Sequence, residues 1–327
     1  MVFRRTLILA AAAFAAVTAL SPLQASAADK PDTVTLDFAY YNPVSLLLKE
    51  KGWVEEAFAQ DGIKVRWVQS LGSNKAIEFL NARGVDFGST AGAAALLARI
   101  NGAPIKAVHV FSKPEWTALV TGKDSAIQSV ADLKGKRVAV TRGTDPYIFL
   151  LRALADHGLT EKDIKPVLLQ HQDGRTALRQ GAVDAWAGLD PMMAQTELEN
   201  GSRLFHRAPD LNTWGVLNVR EDFAKAHPAI VDKVLRLYER GRAHARENPA
   251  ELRDILAKAA SLSPEVAARQ LERTDLSHGA IGPAQHDTIL KAGLALQQAG
   301  VIEAGVDVKA QTDALIEPAF GAQLAQR

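Results

Sequence analysis

Five points along the chain place a polar residue at the start of a helical stretch directly after a strand-like one: Asn42-Pro43, Ser73-Asn74, Ser89-Thr90, Asp145-Pro146 and Asp190-Pro191. Asn, Ser, Thr and Asp are preferred N-caps, and proline suits the first helical turn. A helix start leaves backbone N–H groups unpaired at the positive end of the dipole, which is chemistry that holds a small anion. In an open parallel sheet such starts gather at the carboxyl ends of the strands, where ligands bind. Each of the five, taken alone, is first of all a cap for its own helix. An oxygen used that way has less to offer a ligand, and a carboxylate of Asp145 or Asp190 turned into a cleft would repel an anion.

Catalytic signatures are missing. None of H-E-x-x-H, G-x-S-x-G, G-x-x-x-x-G-K-[ST] or G-x-G-x-x-G occurs. The eight histidines show no metal-ligand spacing, and His157 and His171, at a helix end and a strand end, read as solvated or capping. With no cysteine there is no disulfide, thiolate metal site, Cys nucleophile or lipid-bearing N-terminal Cys. No cofactor and no metal are expected. Among the aromatics, Trp53 and Trp67 read as structural. Trp116, Trp186 and Trp214 fall at strand ends or crossovers, and Tyr40-Tyr41 closes the first strand. Such rings can wall an apolar ligand tail. Core packing is an equally good reading for Trp186 and a weaker one for Tyr41.

The elements that must position these residues follow a repeating grammar. Alternating Thr33–Ala39 and Ile63–Gln69 read as strands, with Val85–Gly88 and Pro104–Phe111 after them; helices start at Asn42-Pro43, Lys75 and Gly92. The middle of the chain repeats the pattern with strands at Glu115–Thr121, Arg137–Thr141, Val167–Gln170 and Ala182–Trp186, and a further short strand at Leu217–Val219. This is the signature of an α/β fold with parallel-rich sheets. From Pro228 onward helical periodicity dominates, which predicts a helical cluster packed on an α/β body. The 327 residues suggest two domains. Charged residues make up 23% and net charge is +1, which gives no support for nucleic-acid binding.

The N-terminus reads as an address. Arg4 and Arg5 precede an apolar run of 14 residues, Leu7–Leu20, and Ala25-Ser26-Ala27 forms an A-x-A cleavage pattern. The run is short of the roughly 18 residues a spanning helix needs. Cleavage after Ala27 would remove two basic residues and no acidic one, leaving net −1. The expectation is a soluble exported protein, free in a Gram-negative periplasm.

Several stretches in order resemble the periplasmic substrate-binding proteins of ABC importers, in the aliphatic sulfonate/taurine/nitrate-binding group. They are Ala76–Asn81 with Gly84–Thr90, Val130–Val140, Leu150–Gly158 with Ile164 and Pro166, and Gly181–Pro191. The resemblance covers essentially the whole exported chain. It implies a two-lobed fold of type II character: residues 28–117 and 216–327 in lobe one, 118–215 in lobe two, crossings near Lys113–Thr121 and Leu211–Val219. Ligand would sit between the lobes. Ser89 and Thr90 match the family's ligand-side loop after the third strand, Arg142-Gly143-Thr144 the loop opening the lobe-two helix, and Trp186 with Asp190-Pro191 the D-A-W-x-x-x-D-P stretch. The chain departs from the pattern at Thr144–Tyr147, where relatives carry a serine-rich run, and at Tyr40–Pro43.

The reading that results is a monomeric, non-enzymatic binding protein for a small organosulfur anion, an alkyl or aryl sulfonate or a sulfate ester. It would serve an inner-membrane ABC permease and ATPase and bind no nucleic acid. Asn42, Ser73, Asn74, Ser89, Thr90, Gly143 and Thr144 would stand around the head group, with Arg142 adding charge. Tyr41, Trp116 and Trp214 would wall the tail, and Trp186, Asp145 and Asp190 are further ligand-side candidates. Two alternatives stand beside it. One is a heteroaromatic ligand such as a thiamine pyrimidine precursor, with Asp145 and Asp190 as amine acceptors. The other is a periplasmic enzyme.

Overall fold

The computed structural model describes residues 30–322; the signal-peptide reading of residues 1–27 lies outside them. The chain opens with β1 (Thr33–Phe38), α1 (Pro43–Lys51), α2 (Trp53–Ala59), β2 (Lys64–Gln69), α3 (Ser73–Asn81), β3 (Phe87–Ala91), α4 (Gly92–Ile100) and β4 (Ile105–Pro114). It continues with β5 (Leu119–Thr121), β6 (Arg137–Val140), α5 (Asp145–Asp156), β7 (Lys165–Leu168), α6 (His171–Arg179), β8 (Ala185–Ala187), α7 (Met192–Asn200) and β9 (Arg203–His206). Then come β10 (Gly215–Arg220), α8 (Glu221–Ala226), α9 (Pro228–Glu247), α10 (Pro249–Ala260), α11 (Pro264–Glu272), β11 (Thr274–Asp275), α12 (Pro283–Gln298) and α13 (Val308–Leu315). The expected α/β body and helical C-terminal cluster are both present. α2 and β9 had no signal in the sequence reading. The strand expected from Glu115 begins only at Leu119, because the residues before it bridge the two sheets.

The strands form two sheets, ordered β11-β4-β10-β3-β1-β2 and β7-β6-β8-β5-β9. In the first, β10 runs antiparallel to both β3 and β4; in the second, β5 runs antiparallel to both β8 and β9. These are the first strands after each passage between sheets. The chain leaves one sheet at the carboxyl end of β4 and enters the other through β5; it returns from β9 through β10. A strand entered from the gap must run against neighbours whose carboxyl ends face that gap, so the reversed strands follow from the crossings.

The two crossing segments are tied to each other and to α5. Thr117 N–H donates to Asn212 Oδ1 at 2.9 Å, and Arg207 grips Glu115 through Nε and Nη2 at 2.7 and 2.8 Å. Asp145, the first residue of α5, accepts from Trp116 Nε1 (2.8 Å), Thr213 N (2.9 Å) and Thr213 Oγ1 (2.7 Å). Burial raises its carboxyl pKa while these donors pull it down. A second buried carboxylate, Asp37 on β1, accepts from the backbone and hydroxyl of Ser89 at 2.8 and 2.7 Å.

Removing the Asp145 carboxylate strands three donors in a dry site, so Asp145→Ala is expected to cost about 3–5 kcal/mol. Trp116→Phe, which takes away one donor and keeps the ring, should cost about 1–2 kcal/mol. Urea unfolding at pH 7 measures both; equal costs would mean that the Trp116 bond alone, not the convergence of three donors on Asp145, ties the crossings.

Candidate functional site

Between the sheets lies a cleft of about 490 Å³, within the range of small-molecule sites. The first sheet contributes Tyr40 and Tyr41 after β1 and Gln69, Ser70 and Leu71 at the end of β2. The second contributes Gln170, His171, Gln172 and Arg175 from the start of α6, and Asp190, Pro191, Met192 and Gln195 around the start of α7. Ala260, Ser261 and Leu262 close one side from the turn after α10. A hollow of about 10 Å³ shares Tyr41 with the cleft and adds Ser73, Trp116, Thr144 and Asp145. The carboxyl ends of parallel strands thus face the gap from both sides, as the open-sheet rule requires.

The structure gathers some of the expected residues here. Tyr41 and Asp190 line the cleft; Ser73, Trp116, Thr144 and Asp145 line the hollow. Asn74 stands at the contact between the two halves, beside Gly143 and His171. Its Oδ1 is buried with no hydrogen-bond partner.

Other expected residues are spent inside the fold. Asn42 caps α1 by accepting from Ser45 N, and its Nδ2 donates to Ser89 Oγ at 2.8 Å. Ser89 serves Asp37, and Tyr41 Oη donates to its carbonyl. Thr90 accepts from Asn218 Nδ2 at 2.8 Å and is fully buried. Nor do Ser89 and Thr90 cap α4. Its first N–H groups go to the Trp214 carbonyl and the Thr213 hydroxyl, so this helix start is closed to ligand. Trp186 is 0% exposed in the core of the second sheet, with Nε1 pressed on the bare face of Gly174. Trp214 packs edge-on against His278 with the Lys113 ammonium over it, outside the cleft. Arg142 points away: its side chain is 55% exposed, paired with Glu161 at 2.9 Å.

Sequence reasoning missed Arg175, Gln170 and His171. Arg175 had no motif to betray it, and only burial marks it. Its side chain is 8% exposed, Nη2 bonds Glu199 at 2.9 Å, and its Nε is buried without a partner. His171, read as solvated or capping, is 1% exposed. Burial pushes its imidazole pKa down to about 3, so the ring is neutral. α3 and α6 both begin without a side-chain cap. A Cβ at Gly72, which precedes α3, would lie 2.9 Å from Asn74 Oδ1 and 3.0 Å from His171 Nε2, so glycine lets the two helix starts approach.

Among the described residues, Asp190 brings the one carboxylate lining the cleft. Its Oδ1 accepts from Ala194 N at 2.8 Å, and Arg273, just past the end of α11, lies 3.5 Å from Oδ2 and also bonds Glu197. Burial pushes the Asp190 carboxyl up to about 7 despite Arg273. Asp37 is raised to about 6 for the same reason. Their ordinary value is 3.8, so the folded state holds these protons more tightly than the unfolded one. The stability they contribute is fully present below about pH 3.8 and is lost as the pH rises through about 6 for Asp37 and about 7 for Asp190.

Carboxyl-carbon NMR should show these two aspartates titrating near pH 6 and pH 7; midpoints near 4 would contradict their burial. Trp186→Ala should cost about 3–5 kcal/mol as a core truncation.

The family described as NMT1/THI5 like matches residues 45–252. A relative from Escherichia coli (strain K12), named "Putative aliphatic sulfonates-binding protein", is 30% identical over 80% of this chain and 82% of its own. The crystal structure of the periplasmic aliphatic sulphonate binding protein SsuA from Escherichia coli superposes with a TM-score of 0.73 at 27% identity, covering 89% of this chain and 94% of that one. The alkanesulfonate-binding protein SsuA from Xanthomonas axonopodis pv. citri, solved bound to MOPS, gives a TM-score of 0.79 at 24% identity, covering 88% and 99%. The fold is that of the periplasmic binding proteins.

Proposed function

Because this chain belongs to the NMT1/THI5-like family, we propose that it is the solute-binding component of an ABC importer and captures a small organosulfur anion, an alkyl or aryl sulfonate or a sulfate ester. The observation that carries this reading is Arg175. Among the described residues it is the only arginine or lysine lining the cleft, and its buried Nε has no partner. A sulfonate offers three acceptor oxygens and keeps its charge at every physiological pH. A guanidinium N–H directed at it forms a charge-assisted bond. The uncapped start of α6, one turn away, adds its backbone N–H groups. Asp190 opposes this little, since Arg273 and a raised pKa reduce its charge.

The tail has an apolar bed. Tyr40, Leu71, Met192 and Leu262 surround the remaining volume, and Leu71 is 51% exposed at its edge. The heteroaromatic alternative needs free carboxylates to receive an amine, and both candidates are engaged: Asp145 by Trp116 and Thr213, Asp190 by Ala194 and Arg273. In this reading the chain is exported to the periplasm, acts as a monomer with residues 118–215 as one lobe and 28–117 with 216–327 as the other, and delivers ligand to a permease and its ATPase. Among the described residues no helix is long and apolar enough to cross a membrane.

A thermal-shift panel on residues 28–327, refolded once to strip carried ligand, tests the ligand class. Ligand at 100 times its Kd adds about 2.7 kcal/mol. Shifts are expected with sulfonates or sulfate esters; a shift with pyrimidines alone, or turnover of an ester, would overturn the reading. Arg175→Met should weaken a sulfonate by about 10- to 100-fold while barely moving the Tm of the free protein.

A further inference from the structure

One element bridges the two halves of the molecule beside the cleft without lining it. α11 is anchored on the first half. β11, which follows it, pairs with the end of β4, and the Arg273 carbonyl accepts from Glu115 N at 2.7 Å where the chain leaves that sheet. Gln270 Nε2 donates to the Tyr40 carbonyl at 2.6 Å, on the cleft wall. Yet two arginines one turn apart on this stretch, Arg269 and Arg273, reach the other half.

On that side α7 and the residues leading into it offer two carboxylates. Arg269 Nη1 donates to Glu197 Oε1 at 3.1 Å, Arg273 Nη2 donates to Glu197 Oε2, and Arg273 Nη1 lies 3.5 Å from Asp190 Oδ2. The Glu197 carboxylate thus takes a guanidinium on each oxygen, and such charge-assisted bonds are the strong and directional ones. The Arg273 and Asp190 side chains are buried and that of Glu197 is 26% exposed, so solvent ions screen the cluster only at its outer edge.

The position of the cluster decides what these bonds do. Asp190 N donates to the Trp116 carbonyl at 2.9 Å, so the inner pair sits on the crossing itself. Glu197 stands seven residues farther along, about 10 Å out at the rise of a helix. A rotation of the halves about the crossings leaves Arg273 close to Asp190 and pulls Glu197 away from both arginines. The same rotation parts the cleft walls. α7 carries Met192 and Gln195 on one wall, and the turn before α11 carries Ser261 and Leu262 on the other. Opening the cleft and breaking the Glu197 pairs are therefore one movement.

We propose that Arg269 and Arg273 latch onto Glu197 and hold the empty cleft narrowed, so that this ion cluster, and not the ligand alone, sets how often the walls stand apart. The ligand-free protein then favours the narrow state, and ligand enters from the minor population in which the Glu197 bonds are open. The inference stands on the two-sheet fold and its crossings and is independent of which ligand the cleft takes.

The chain has no cysteine, so a pair introduced for spin labels is unique. Glu78→Cys on α3 and Arg179→Cys on α6 are at exposed positions in opposite halves. Double electron–electron resonance on residues 28–327, stripped of ligand by one refolding, reads the separation of the labels. Glu197→Arg sets like charge against both arginines and should lengthen the mean separation by about 5 Å. Glu197→Gln should add a longer-distance population beside the native one. Glu272→Gln removes only the partner that Arg269 has on its own helix, at 3.0 Å, and should leave the separation unchanged. Circular dichroism identifies which variants fold, and Glu197→Gln carries the test if Glu197→Arg does not. A native distance distribution in either folded Glu197 variant, or an equal shift in Glu272→Gln, would overturn the proposal.

Discussion

Donors from both crossing segments converge on one carboxylate: Trp116 from the first, Thr213 twice from the second, all on Asp145 at the head of α5. The site is dry, so any displacement of α5 against the crossings strands a charge or a donor. The remaining ties, Thr117 to Asn212 and Arg207 to Glu115, hold the crossings to each other. The position of the second sheet relative to the first is thus set at this junction. Every residue that reaches the cleft from α6 or α7 inherits its place from it.

That constraint decides which helix starts remain open to a ligand. α4 is closed because Thr213, already anchored on Asp145, also accepts from Ala93 N, and the neighbouring Trp214 carbonyl takes Gly92 N. α1 is closed by Asn42. At α7, Asp190 takes the Ala194 N–H and draws Arg273 toward it from the C-cap of α11. α3, α5 and α6 are left without a side-chain cap, and α3 meets α6 across the gap where Gly72 carries no side chain. The place where α3 and α6 meet thus involves only one of the five starts that looked alike in the sequence, that of α3; α6, which begins at His171, was not among them.

The repeating strand–cap–helix grammar was legible because hydrophobic period and cap chemistry are local properties. They located β1, β2, α1, α4, α5 and the C-terminal helices to within a few residues. α2 went unseen because Gly52, a left-handed C-cap for α1, reads as a stop, while the chain resumes a helix one residue later. β9 is short and only partly buried, so its pattern is weak. In the site, Tyr41 and Asp190 were legible from their place after strands. Arg175 was not, since an arginine inside a helix looks solvated until a neighbouring element covers it.

The class of fold, the alternation of elements, the helical C-terminal cluster and the set of polar residues at strand ends could all be read from the order of residues. These depend on side chains within a few positions of one another. Which of those polar groups face the gap was settled by long-range packing. Ser89, Thr90 and Asn42 were drawn into the Asp37 and Asn218 networks, and Trp186 into the core beside Gly174, by partners far away in the chain. The burial of His171 is likewise invisible in sequence: it follows from Thr141, thirty residues earlier, approaching its Nδ1 at 3.3 Å, and from Gly72, a hundred residues away, packing against its Nε2.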